Sequence, residues 1–109
     1  MATGRLGAED LAAVTYTQLY QVPADTFSVI SINILNRNAS AITARVAITD
    51  SIPPLAPVSA DFIEHDLTIA PNGVLERTGI VLEAGKIVSV YSNTTGVTAM
   101  AYGIETATA

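Results

Sequence analysis

An all-β fold in a single domain, an antiparallel sandwich of about seven to eight strands, is what this 109-residue sequence predicts. Three observations carry the expectation. From Tyr16 onward, short runs rich in Val, Ile, Thr and aromatic residues recur at the spacing typical of sandwiches and barrels. Turn residues stand between them. After residue 15 no segment sustains the 3.6-residue period of a useful helix, which disfavours parallel α/β folds with their helical crossovers.

Taken in order, residues 1–14, "MATGRLGAEDLAAV", mix Gly, Ala and acids without alternation and read as an extended N-terminal arm. The sandwich then occupies 15–109. Its expected strands are "YTQLYQV" (16–22), "TFSVISINIL" (26–35), "ITARVAITD" (42–50), "FIEHDLTI" (62–69), "VLERTGIVL" (74–82), "KIVSVYS" (86–92) and "VTAMAYGIE" (97–105). Turns fall at "PAD" (23–25), "APNG" (70–73), "EAG" (83–85) and "TTG" (94–96), where Pro presets φ or Gly and Asn accept positive φ. Short turns of this kind favour antiparallel neighbours. The long "SIPPLAPVSA" (51–60) carries three prolines that cannot donate into a ladder. It reads as a crossover between two sheets of a Greek-key or jelly-roll fold.

Alternation assigns faces, because successive strand residues point to opposite sides. Ile30, Ile32 and Ile34 share one side, Ser31 and Asn33 the other; Ala44, Val46 and Ile48 oppose Thr43, Arg45 and Thr49. By the same rule the only histidine, His65, falls with Ile63, Leu67 and Ile69, and Glu64, Asp66 and Thr68 fall opposite. Three titratable neighbours then do not converge as a catalytic base and its orienting acid must. His65 reads as a filler at the rim of the apolar side, and a lone His without a second His or Cys lacks the means to hold a metal. Gly79 in "LERTG" marks a bulge or a close backbone approach. Glu76 and Arg77 beside it face opposite ways, available for a cross-strand or an intersubunit ion pair. The acceptor patterns "NAS" (38–40) and "NTT" (93–95) sit at turns that favour Asn and Ser in any case, with no secretory signal before them. No motif for a catalytic, cofactor or metal site is present.

Charged residues are only 14% of the chain against about 25% in ordinary soluble domains. Half of it is hydrophobic. No apolar run approaches the ~18–20 residues of a spanning helix, so a membrane is not the expected home of this surplus. Burial against partner subunits is. The formal net charge of −5, with five scattered cations, argues against nucleic acid as a partner. Two strands are apolar on both sides: Ile87 and Tyr91 oppose Val88 and Val90, while Met100, Tyr102 and Ile104 oppose Val97, Ala99 and Ala101. The expected interface residues are therefore Ile87, Tyr91, Met100 and Tyr102, joined by Leu6, Leu11 and Val14 as anchors on the arm. A closed homo-oligomer, first of all a trimer, would cover such faces.

The frame "LYQVPADTFSVISINILNRN", "FIEHDLTIAPNGVLERTGIVLEAG" and "YGIE" resembles small virion structural proteins of tailed bacteriophages, marine cyanophages in particular. The order of a "VPA" turn, an "NRN" turn, an "NGVLERTGIVLEAG" hairpin and a terminal "YGIE" strand carries the likeness over nearly the whole chain. It implies a non-enzymatic virion component made in the host cytoplasm. A capsid decoration or cement protein, contacting other virion proteins such as the major capsid protein, is the leading expectation. A neck, tail or fibre component is the alternative within that class. A small carbohydrate-binding β-module is the alternative outside it, weakened by the absence of Trp and an aromatic content of 6%.

Overall fold

The computed structural model describes residues 3–108. Eight strands run β1 Thr3–Asp10, β2 Thr17–Gln21, β3 Thr26–Asn36, β4 Ile42–Thr49, β5 Phe62–Ile69, β6 Val74–Leu82, β7 Ile87–Ser92 and β8 Val97–Ala107, with a 3₁₀ turn at Ser59–Asp61. Their pairing is nested. β1 pairs with β8, β2 with β7, β3 with β6 and β4 with β5, all antiparallel. Two further antiparallel ladders, β3–β8 and β4–β7, join these pairs into the sheets β1-β8-β3-β6 and β2-β7-β4-β5. A long hairpin rolled upon itself in this way is a jelly roll.

That topology reverses the expected roles of the connections. The short turns at 22–25, 70–73, 83–86 and 93–96 do not join hydrogen-bonded neighbours; each is a corner carrying the chain from one sheet to the other. The turn chemistry is as expected at Asn72, Gly85 and Gly96, which all have positive φ. The proline-rich segment 50–61, expected to cross between sheets, instead joins the neighbours β4 and β5 within one sheet. Pairing partners in a rolled hairpin are set by where the roll folds back, and turn length does not report that.

The core fills the space between the sheets. Ile30, Ile32 and Ile34 of β3 interleave with the smaller Val97, Ala99 and Ala101 of β8, facing Ala44 and Val46 of β4 and Val88 and Val90 of β7; all are essentially inaccessible. Alternating large and small residues across adjacent strands is how such a layer reaches crystal-like density. Each buried Ile or Val contributes about 1.5–3 kcal/mol of transfer free energy.

The N-terminal arm is the main correction. Residues 3–10 form a strand on the edge of the first sheet, paired from Thr3 opposite Ile104 to Asp10 opposite Thr98 with a bulge between Arg5 and Gly7. Beyond it the Leu11 amide donates to the Val97 carbonyl at 2.8 Å and the Val14 amide to the Ser92 carbonyl at 2.8 Å. Leu11 is 2% exposed, a full member of the core, and Leu6 packs against the core from the edge. The polar composition that argued against a strand reflects an edge strand's exposure. Gly7 is needed there because a Cβ would collide with the Leu19 carbonyl oxygen of β2.

Candidate functional site

The stretch Glu64-His65-Asp66 departs from simple alternation. Between Ala44 opposite Leu67 and Val46 opposite Glu64, β5 holds one residue more than β4, and Asp66 sits at φ 53°. This is a β-bulge, and one extra residue exchanges the faces on either side of it. Glu64 therefore turns toward the gap between the sheets together with Leu67 and Ile69, while Ile63 and His65 stand in solvent. His65 is not with the core, as alternation alone required. Its Nδ1 lies 3.5 Å from the Asp66 carboxylate and its ring meets Phe62 edge-on at 4.9 Å. Of the two readings of Gly79, the bulge is the one observed: at φ 68° it lies in β6 between Ile30 opposite Ile80 and Ile32 opposite Arg77, and no backbone approaches it closely.

Both bulges lie on the same margin of the sandwich, and an arginine reads each one. Arg77 of β6 reaches across to Glu64 of β5, its Nε donating at 2.7 Å, so the pair spans the two sheets. Within the chain, Arg77 thus has its partner on the other sheet. Arg45 donates to both Asp66 oxygens at 2.7 and 3.3 Å and to the Tyr16 hydroxyl at 2.8 Å, with its guanidinium 4.5 Å above the Tyr91 ring. Those hydrogen bonds raise the Arg45 pKa further, and the one from Arg45 is the chief reason the Asp66 carboxyl lies below its ordinary value. Tyr16 in turn packs at 4.8 Å on Tyr91 and 6.3 Å from Phe62. The cluster is an internally satisfied lid on the second sheet.

The rest of that sheet's outer side is covered as well. Ala47, Thr49, Ile87 and Ser89 point away from the core yet are buried. The connection 50–61 lies over them: Pro57 is buried, the Ser59–Asp61 turn touches β4, and Lys86 anchors Asp50 at 3.0 Å. Ile52, Leu55 and Val58 stand out from the connection into solvent.

Among the described residues, nothing lies over the outer side of the sheet β1-β8-β3-β6 in this way. Cross-strand register places Ile104, Val29 and Val81 in one row over β8, β3 and β6, at 54%, 40% and 69% exposure, with Phe27 beside them. Met100, Tyr102, Leu35 and Val74 extend this apolar side along the same strands. The Tyr102 hydroxyl donates to Glu76 at 3.3 Å, and burial followed by that carboxylate's charge raises its pKa.

Of the residues expected at an interface, Met100 and Tyr102 lie on this open side. Leu11 and Ile87 are inside the chain's own packing, at 2% exposure each, and cannot meet a partner. Leu6 and Tyr91 are half-buried against their own subunit, and Val14 is exposed at a positive φ of 52°. Sequence reasoning missed Phe27, Val29 and Val81. The first two were legible as the odd-numbered partners of Ile30, Ile32 and Ile34; Val81 becomes legible only when a bulge at Gly79 is counted into the alternation of β6.

Two polar residues organise the ends. Asn36 is fully buried, and its Nδ2 lies 2.9–3.1 Å from the carbonyls of Ser40, Ile69 and Ala70, while its Oδ1 accepts from the Asn38 amide at 2.9 Å. At the other end Tyr20 lies 2.7 Å from the Ser28 hydroxyl and donates to Glu105 at 2.5 Å. The two acceptor-pattern asparagines are in structural use, Asn38 donating to the Thr95 carbonyl at 2.9 Å and Asn93 accepting from the Thr43 amide at 3.1 Å. Both border an open polar hollow of about 380 Å³. Among the described residues no group of three or more metal-ligating side chains is assembled, and no helix is long and apolar enough to cross a membrane.

The chain is an all-β jelly-roll sandwich with one self-covered and one open sheet. Compared with protein-family models, curated proteins and solved structures, it matches none.

Proposed function

We propose that this chain is a virion structural protein of a tailed bacteriophage, of the capsid decoration or cement type, acting by assembly and without catalysis. The observation that carries the reading is the uncovered apolar side of the sheet β1-β8-β3-β6 in a chain so poor in charge. Contiguous exposed apolar patches on small domains mark association surfaces. The jelly roll is compatible, being common in capsid and lectin domains, though a fold alone does not assign a function. The likeness of its turn-and-strand frame to phage virion proteins supplies the biological setting. Ile52, Leu55 and Val58 on the 50–61 connection offer a second, separate surface for a neighbour such as the major capsid protein, so one copy can contact its own kind and the shell at once.

A neck, tail or fibre station uses the same surfaces and is the alternative. The carbohydrate reading fares less well, because sugar stacking needs free aromatic faces: the rings of Tyr16, Tyr91 and Phe62 are packed on one another or beneath Arg45 and Tyr20 is buried, which leaves Phe27 and Tyr102, set among aliphatic side chains on the open sheet. The deciding experiment is a density map of intact virions with this chain traced. Many symmetry-related copies over the capsid are expected. Density confined to the neck, tail or fibre assigns the alternative, and absence of the chain from purified particles refutes both.

A further inference from the structure

We propose that the open side of the sheet β1-β8-β3-β6 binds a second copy of this chain, sheet against sheet, about a two-fold axis. The inference deepens the assembly reading and rests on it only for the expectation that the chain associates; it names the partner and the symmetry.

Three observations select the occupant. The first is charge. Two chains each carrying −5 repel, and any contact between them must keep its acids apart. On the four strands of this side the outward acids are Asp10, already held by Arg37 at 2.6 Å, and Glu76; between them lie Phe27, Val29, Val81, Met100, Tyr102 and Ile104. The neutral region of an acidic chain is where a second acidic chain can approach.

The second observation is complementarity. Arg5 stands opposite Tyr102 at the β1 margin, and Glu76 stands opposite Asn33 at the β6 margin, two residues further along the strands. A two-fold axis parallel to the strands lays the β1 margin of one copy over the β6 margin of the other. Arg5 then faces Glu76 across the contact, offset by about 7 Å, within the reach of an arginine side chain. The axis repeats the pair, giving two ion pairs on the rim of an apolar centre.

The third is area. Four strands spaced about 4.8 Å apart, sharing a span of about 30 Å along β3, present on the order of 600 Å² per copy. The total of about 1,200 Å² reaches the lower end of the range for specific, stable interfaces. About the two-fold axis the contact is isologous and closes at two copies, so the proposed elementary unit is a dimer, where the expectation from sequence was a trimer.

The test uses the full chain in solution. Analytical ultracentrifugation at micromolar concentration should show a dimer. Val81→Glu and Ile104→Glu, at exposed positions that a folded monomer tolerates, should each weaken dimerisation at least about tenfold without shifting the thermal midpoint extrapolated to low concentration. Leu55→Ser, on the 50–61 connection, should leave it unchanged. Because the chain contains no cysteine, Val29→Cys gives a clean second readout: a short bismaleimide should couple two copies through position 29, whereas Leu55→Cys should not couple. A monomer throughout the micromolar range, or a dimer that resists both glutamate variants and couples through position 55, overturns the contact. A monomer that loses its binding to capsids when Val81 or Ile104 is replaced also overturns it, assigning the face to another virion protein while sparing the virion reading. Absence of the chain from particles, with the dimer intact, removes the virion reading and leaves the contact standing.

Discussion

Glu64 of β5 and Arg77 of β6 join the two sheets at the margin where their edge strands meet, the Arg77 Nε lying 2.7 Å from the Glu64 carboxylate. The Glu64 side chain is only 13% exposed, so the pair is partly withdrawn from solvent. Removing the cation leaves that carboxylate without its main partner in a region of reduced dielectric. Arg77→Leu should therefore cost about 1–2 kcal/mol, more than the median surface pair. Urea denaturation checks this, and a double-mutant cycle with Glu64→Gln should return a coupling of about 1 kcal/mol. Zero coupling would reduce the pair to surface decoration.

The N-terminal strand is expected to be necessary for the domain's own stability. Leu11→Ala should cost about 2–4 kcal/mol through loss of burial and the cavity left behind. Deleting residues 2–12 also strips the outer edge of β8 and should abolish cooperative thermal unfolding, followed by circular dichroism. An unchanged melting curve would mean that β1 is dispensable to the fold.

Tyr20 makes stability fall in alkali. Burial first, and then the hydrogen bond to Glu105, pushes its pKa from about 10 up to about 12. The folded-state value lies above the unfolded one, so the contribution is fully present below pH 10. Between about pH 10 and 12 the unfolded chain releases this proton while the folded chain retains it, and stability drops by up to about 2–3 kcal/mol. Tyr20→Phe should flatten the decline over that window in urea titrations. An equally steep decline in the variant would assign it to other groups.

Asn36 ties the 36–41 turn to the 70–73 corner through its three carbonyl contacts. Asn36→Leu, close in volume but unable to donate, strands those buried acceptors and should cost about 2–4 kcal/mol. Faster hydrogen exchange should localise to residues 36–41 and 70–73. Asn36→Ser, too short to span the contacts, should give an intermediate loss.

Gly79 should resist replacement for backbone reasons alone. No atom would crowd a Cβ there, but its φ of 68° lies in the left-handed region. Gly79→Val should cost about 1–2 kcal/mol and Gly79→Asn distinctly less, because Asn tolerates that region. Equal costs for the two would point to packing and away from φ.

Seven strands, the inward residues of β3, β4 and β8, and the bulge at Gly79 were determined by the sequence itself. Each depends on alternation or local φ, which neighbouring residues express directly. The outward position of Met100, Tyr102 and Ile104 was legible for the same reason. Only the tertiary structure decided the rest. Residues 3–10 carry little strand propensity and become β1 because β8 offers an unpaired edge, a partner about ninety residues away. His65 faces solvent because the bulge at Asp66 exchanges the faces of Glu64 and His65 until a second irregularity beside Ile63 returns Phe62 to the outer side, and an Asp in the left-handed region leaves no such unambiguous mark in the sequence as a Gly does. Ile87 is buried, and unavailable to a partner, because a loop from a distant part of the chain lies over an outward sheet face. Alternation tells which side of a strand a residue occupies; what covers that side is settled by non-local packing, and here it leaves one sheet lidded and the other open.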